Sequence, residues 1–390
     1  MVADQSYFAT GMPPKRCSHR GVAPTQRPGG LKCRREWGGP LLCAMILGAH
    51  PAGAADDGLE RINGRTMGTT FSVAVVTGQA QRTEGALPAA IQQRLDQLEA
   101  ALSTYRTTSD VSRFNAYAGT DWFPVGPETA AVVDRAQPIS RLTTGAFDLT
   151  IYPLVCVWGF GPEPAPATPP GAAAITRALR RVDYRKLEVR LSPPALRKRS
   201  ADLTIDLSGI AKGYACEEVA TVIEQHGGTA YLIAIGGEIR VRGGRPGHNA
   251  WRVGVERPDP AGTKIARILE LTDSALSTSG DYRNFFDQAQ RRYSHLLDPR
   301  TGRPVPGTLS SVSVVDRDSA RADALATALM VMGEEAGFAW AQAHGIPCIF
   351  FSQSDSGIRT RTSPAFSARF GVSDPLEMNS TPAAEPKSRH

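Results

Sequence analysis

Cysteine is scarce where it would matter most. Of the 6 cysteines in the 390-residue chain, only Cys156, Cys216 and Cys348 follow residue 54. Three thiols at those separations match no metal-binding spacing, and an odd number cannot complete a disulfide framework. One bridge at most is possible, and buried free thiols are the expectation. Nucleotide fingerprints are missing too. There is no G-x-G-x-x-G after a first strand and no G-x-x-x-x-G-K-[ST], so neither standard phosphate-binding loop applies. A basic surface is likewise lacking. The formal charge is +6, but residues 1–54 hold seven Lys/Arg against Asp4 and Glu36, a net of +5, leaving about +1 for the remainder. That balance excludes a nucleic-acid-binding surface.

What is present suits a loop-rich globular protein: 41% hydrophobic residues with 38 Gly and 29 Pro. The first 54 residues have the anatomy of an export leader. Lys32, Arg34 and Arg35 precede an apolar run from Pro40 to Ala49, which closes at Pro51-Ala52-Gly53-Ala54. The run is too short for a membrane span. The mature chain is expected to start near Ala55, in the periplasm. Arg34-Arg35 is compatible with a twin-arginine route. Leu41-Leu42-Cys43 has the outline of a lipid-attachment site leading to the inner membrane, but Leu42 stands where a small residue is normal. The expected organisation is a leader over 1–54, one domain over 55–373 and a polar tail over 374–390.

Within the domain, Arg65 to Val76 reads as a strand with a glycine near its start. Leu87 to Leu102 carries a helical stripe of Ile91, Leu95, Leu98 and Leu102, and Ser109 is an N-cap for a short following helix. Glu128 to Leu142, Ile175 to Val182, a stretch from Ser208 to about Gln225, Ala320 to Met332 and Ala336 to Ala343 read as further helices. Strands are expected at 187–191, 203–207, 231–235, 239–242, 251–256, 266–271, 275–277, 311–315 and 345–351. Runs of consecutive strands punctuated by helices, without regular alternation, indicate an α+β fold of mixed or antiparallel sheets.

Polar clusters bounded by glycine fall at the ends of these elements: Met67-Gly68-Thr69, Phe147-Asp148, Ser208 to Gly213, Gly236-Gly237-Glu238 and Ser279-Gly280-Asp281-Tyr282. Glycine at a strand-to-helix junction lets backbone N–H groups approach a phosphate, and Lys212 supplies a counter-charge beside one such junction. Asp323 and Thr327 stand one helical turn apart, so a carboxylate and a hydroxyl can reach one hard cation such as Mg²⁺. The competing reading makes Asp323 a helix cap and Thr327 a back-bonded hydroxyl. In Tyr293-Ser294-His295-Leu296-Leu297-Asp298-Pro299-Arg300-Thr301-Gly302 a strand end delivers His295 to the rim of a sheet beside a tight turn. There it is either a proton carrier or an ordinary surface histidine.

Taken in order, MGTTFSV, LSTYRTTSDVSRFN, GAFDLT, WGFG, IDLSGIAKGYA, IGGEIRVRG, STSGDYRNFF, YSHLLDPRTGRPV and DALATALMVMG resemble the FAD:protein FMN transferase (ApbE-like) family from about Arg65 to Ile349. The resemblance implies an exported α+β enzyme, related to the T-fold, that uses Mg²⁺ and takes FAD as donor. It would move FMN onto a Ser or Thr of an acceptor protein, such as a redox or electron-transport subunit, and release AMP. Met67, Tyr105, Ala146, Phe147, Asp148, Lys212, Gly236, Gly237 and Leu297 then match FAD contacts. The Gly209 carbonyl, Asp323 and Thr327 match metal ligands, and His295 matches the base. Two departures are Ala234, where Asn is usual and where a hydrogen bond in the flavin site is expected to change, and Glu217, where Asp is common. A Mg²⁺-dependent FAD pyrophosphatase would share this site with water as acceptor. A non-catalytic flavin-binding protein would not need His295 together with the metal pair.

Overall fold

The computed structural model describes residues 59–76, 85–163, 166, 168–258, 264–281, 285–288, 291–355 and 357–371. The expected leader, the tail and Tyr282 lie outside the described residues, all of which belong to the compact unit Cys33–His390. The chain opens with β1 (Leu59–Thr66) and β2 (Thr69–Val76), then α1 (Ala86–Leu102), α2 (Asp110–Ala116), β3 (Phe123–Pro124) and α3 (Pro127–Leu142). Next come α4 (Tyr152–Val157), α5 (Ala172–Leu179), β4 (Leu187–Leu191), β5 (Pro194–Lys198), α6 (Ser208–Gln225), β6 (Ala230–Ile235) and β7 (Glu238–Arg242). The second half runs through β8 (Trp251–Arg257), β9 (Lys264–Leu271), β10 (Ser274–Gly280), β11 (Phe285–Gln288), β12 (Arg291–Ser294), β13 (Leu297–Asp298), β14 (Arg303–Pro304) and β15 (Leu309–Asp316). It closes with α7 (Ser319–Met332), α8 (Glu334–Ala343), β16 (Cys348–Ser354), β17 (Gly357–Thr362) and α9 (Pro364–Phe370).

Eight strands form the central sheet in the order β1-β2-β6-β7-β10-β15-β16-β17, and each neighbouring pair is antiparallel. This is the expected α+β architecture. Its strands alternate between two cores, as a period of two requires. Val73, Val75, Ile233, Ile235, Val312 and Val314 join the core shared with α1, α3, α6 and α7. Ala74, Leu232, Ala234, Leu276 and Val315 join a second core under the β8–β9 hairpin and α9. A third, smaller cluster gathers Leu154, Trp158, Ile175, Ala178 and Leu297. Strands β2 and β6 are neighbours although everything from α1 to α6 lies between them in sequence. Helices α1 to α6 are thus one long insertion that leaves and rejoins the sheet at the Val76–Ala230 end, opposite the Met67-Gly68 and Gly236-Gly237 turns, and α7 and α8 complete the helical layer from after β15.

Several differences from the sequence reading have local causes. The expected first strand is a hairpin: Met67 and Gly68 take φ of 47° and 71°, a two-residue turn that reverses β1 into β2. Residues 203–207 join no ladder. The Asn115 side chain satisfies Ile205 instead, accepting its N–H at 2.7 Å and donating to its carbonyl at 2.9 Å. Asp206 N–H donates to Leu149 O at 2.8 Å. Ala234 packs into the second core, on the opposite face of the sheet from α6 and α7. Cys156, Cys216 and Cys348 are all free thiols.

Candidate functional site

Two hairpin turns and two helices meet at one end of the central sheet. The β1–β2 turn carries Met67, whose N–H donates to Glu99 Oε2 at 3.0 Å. Glu99 also pairs with Arg106 at 3.4 Å, which links this turn to the loop bearing Tyr105. The β6–β7 turn is Gly236-Gly237, with φ of 62° and 119°. Gly236 N–H donates to Thr70 O at 3.1 Å. A Cβ on Gly236 would come within 2.9 Å of Thr69 and 3.2 Å of the Lys212 stem, so glycine here lets the two turns and the first turns of α6 converge.

Helices α6 and α7 touch backbone to backbone. A Cβ at Gly213 would lie 2.2 Å from Ser319 O, so only glycine permits this approach. Two bonds lock the contact. Gly213 N–H donates to Asp323 Oδ2 at 3.0 Å, and Ser319 N–H donates to Glu217 Oε1 at 2.8 Å. Glu217 therefore ties α6 to the start of α7. The helix-cap reading of Asp323 fails, because the cap of α7 is Asp318, whose side chain accepts from Arg321 N–H. Asp323 is an interior helix residue, 2% exposed, directed at the neighbouring helix. One turn on, Thr327 Oγ1 lies 3.2 Å from Ser279 Oγ at the end of β10. A Cβ on Gly209 would sit 3.2 Å from the Phe147 ring and 3.4 Å from Thr327 Oγ1. Gly209, Thr327 and Phe147 thus line one narrow space.

Electrostatics concentrate on Lys212. The alternation of β7 turns Glu238 and Arg240 towards α6, where Glu238 Oε1 accepts from Lys212 Nζ at 2.5 Å and Arg240 pairs with Glu217 at 3.4 Å. Burial works against the Lys212 charge, but Glu238 and then Asp323 outweigh it and hold the ammonium above its usual range. Burial raises the carboxyls of both Glu238 and Asp323, while Lys212 pulls each back. With both ionised, two buried carboxylates answer one ammonium, a surplus of negative charge that favours a cation.

The donor set suits a hard divalent cation. Asp323 and Thr327 offer oxygen, and the space between Thr327 and Gly209 is one that any larger residue at 209 would crowd. Among the described residues no group of three or more His, Cys, Asp or Glu is placed to hold a metal. Mg²⁺ needs no such cage, since it keeps waters and shares substrate phosphates.

The remaining expected residues gather elsewhere. Asp148 spends both oxygens locally: Oδ1 accepts from Thr150 N–H and from its hydroxyl, each at 2.7 Å, and Oδ2 from Tyr184 N–H at 3.1 Å. Burial raises its carboxyl against those bonds. Asp148 fixes the loop that buries Ala146 and presents the Phe147 ring to Gly209. Tyr105 is 45% exposed, and its hydroxyl donates to Phe160 O at 3.2 Å. The Phe160 ring meets His295 edge-on at 6.3 Å. Trp158 Nε1–H donates to Gly302 O at 2.8 Å, joining the aromatic loop to the turn after His295. His295 follows the end of β12 and is half-buried. Leu297 commits its side chain to the third hydrophobic cluster. Sequence reasoning gave no role to Glu238, Ser279, Glu99 or Phe160. Glu238 and Ser279 had been visible only as members of glycine-bounded clusters.

Comparisons with known proteins agree on one family. Its model, described as the ApbE family, matches residues 67–350. A FAD:protein FMN transferase of Vibrio cholerae is 38% identical over 307 residues, covering 78% of this chain and 91% of that protein. One from Klebsiella pneumoniae is 35% identical over 330 residues, covering 83% and 94%. Among solved structures, the apo form of Pseudomonas stutzeri flavinyl transferase ApbE superposes with a TM-score of 0.75 at 37% identity, covering 81% of this chain and 98% of that one. The flavin transferase ApbE from Vibrio cholerae gives 0.73 at 36%, covering 80% and 99%.

Proposed function

The chain belongs to the ApbE family, and from that premise we propose that it transfers the FMN half of FAD to a Ser or Thr hydroxyl of an acceptor protein, releasing AMP. The observation that carries this reading is the junction of Gly209, Thr327, Asp323 and Lys212, where hard oxygen donors and an anchored ammonium meet beside a glycine-lined turn.

Asp323, Thr327 and the Gly209 carbonyl would hold Mg²⁺. When bound, the ion supplies Lewis-acid stabilisation of a pyrophosphate under attack. Lys212 donates to the nucleotide's phosphate oxygens from a position set by Glu238. Phe147 and Tyr105 offer ring faces for the flavin or adenine, and the Met67 and Gly236-Gly237 turns offer backbone. His295 accepts the proton of the acceptor hydroxyl, a poor nucleophile until that proton is drawn away. The FMN phosphorus–oxygen bond to the acceptor forms as the bond to AMP breaks. The acceptor in this reading is an exported redox protein. The leader over 1–54 carries the enzyme to the same compartment, which N-terminal sequencing of periplasmic protein would test by a start near Ala55.

Incubation of a candidate acceptor with FAD, Mg²⁺ and the protein, followed by intact-mass analysis, tests the activity. Transfer adds one FMN less one water to the acceptor. Hydrolysis leaves the acceptor unchanged beside free FMN and AMP.

A further inference from the structure

We propose that Glu238 is a positioning residue that holds the Lys212 ammonium towards the donor and keeps it off Asp323. The inference rests on the reading of Lys212 as a donor contact and Asp323 as a metal ligand.

Lys212 lies between two carboxylates on different elements, Glu238 on β7 and Asp323 on α7. It bonds only the first. Its Nζ is 2.5 Å from Glu238 Oε1, and no ion pair joins it to Asp323 among the described residues. Asp323 is nonetheless packed against the same turn of α6, its Oδ2 accepting at 3.0 Å from the N–H of Gly213, the residue directly after Lys212. A lysine has four rotatable bonds, so an ammonium released from Glu238 would be free to turn to the Asp323 carboxylate packed beside it on α7. An ion pair there would occupy the carboxylate a divalent cation needs.

Glu238 is built for holding. It is 1% exposed, and the backbone on either side of it is fixed by the Gly236-Gly237 turn and the β6–β7 ladder. Its other oxygen, Oε2, is buried without a hydrogen-bond partner, so the carboxylate is committed to Lys212 through one atom. Such an arrangement contributes little to stability, since burying the pair costs desolvation that well-packed apolar residues would avoid. Holding an ammonium in one of two possible orientations accounts for the pair where stability does not.

The test uses the full-length protein, with Glu238→Gln, Lys212→Met and the double variant. Thermal unfolding at fixed FAD is titrated with Mg²⁺, since a ligand that binds the folded state raises its melting temperature. Glu238→Gln should need about tenfold more Mg²⁺ for half of the shift, the size typical when a group that orients a metal site is removed. In the Lys212→Met background, which has no ammonium to misdirect, the same substitution should change that midpoint by less than about twofold, the near-additivity of uncoupled sites. Glu238→Asp, which keeps the charge, should recover most of the loss. An unchanged midpoint in Glu238→Gln, or an equal rise with and without the ammonium, would overturn the proposal. If FAD and Mg²⁺ do not shift the unaltered protein at all, the reading of the site falls and this inference with it.

Discussion

The α6–α7 junction and the His295 turn are built to opposite specifications. The junction is closely packed and cross-braced: two helices in backbone contact at Gly213, buried carboxylates, and hydrogen bonds that span elements far apart in sequence. The His295 turn is a short loop over a small satellite cluster, held by Trp158 Nε1–H on Gly302 O and by Asp298, which accepts from Arg300 at 2.8 and 2.9 Å. In the proposed function that contrast has a physical reason. Charge stabilisation at a phosphate depends on groups that do not rearrange, whereas a proton acceptor for a protein substrate has to sit where the substrate can reach.

Substitutions that break each region should differ in kind. Asp323→Ala should abolish Mg²⁺-dependent turnover, a loss of several kcal/mol of transition-state stabilisation. Thr327→Ala, which removes a neutral donor, should weaken the Mg²⁺ response and leave partial activity; titration of activity with Mg²⁺ checks both. His295→Ala should slow transfer by ~10²–10⁴-fold with FAD affinity retained, read by single-turnover transfer beside a flavin-fluorescence titration. Gly213→Ala should cost about 1–3 kcal/mol of folding stability, because the added Cβ meets a backbone oxygen that cannot move aside cheaply; thermal melts report it. Trp158→Phe should cost about 0.5–1.5 kcal/mol by removing one buried hydrogen bond, with a few-fold loss of turnover. If Trp158→Phe were as damaging as His295→Ala, the turn would be as closely braced a part of the machinery as the junction.

What could be read from sequence follows the same division. The stripe of Ile91, Leu95, Leu98 and Leu102 is buried on α1 as its spacing requires, and Ser109 caps α2 by accepting from Ser112 N–H. His295, Asp323 and Thr327 stand in ordered motifs and were visible as candidates. Strands β1 and β17 were not, because edge strands rich in arginine and polar residues carry little hydrophobic pattern. Residues 203–207 alternate like a strand, yet Asn115, 90 positions away, takes the hydrogen bonds a ladder would have used. The Lys212–Glu238 pair was equally hidden, since it exists only once β7 packs under α6. Local spacing reports which groups are available, and tertiary packing decides which of them face each other.

The most direct test of the account is intact-mass analysis of an acceptor protein after incubation with FAD, Mg²⁺ and this protein, run beside Asp323→Ala and His295→Ala. The account predicts an acceptor heavier by one FMN less one water, with an equal amount of AMP, for the unaltered protein alone. Free FMN and AMP beside an unmodified acceptor would contradict it and make water the true acceptor.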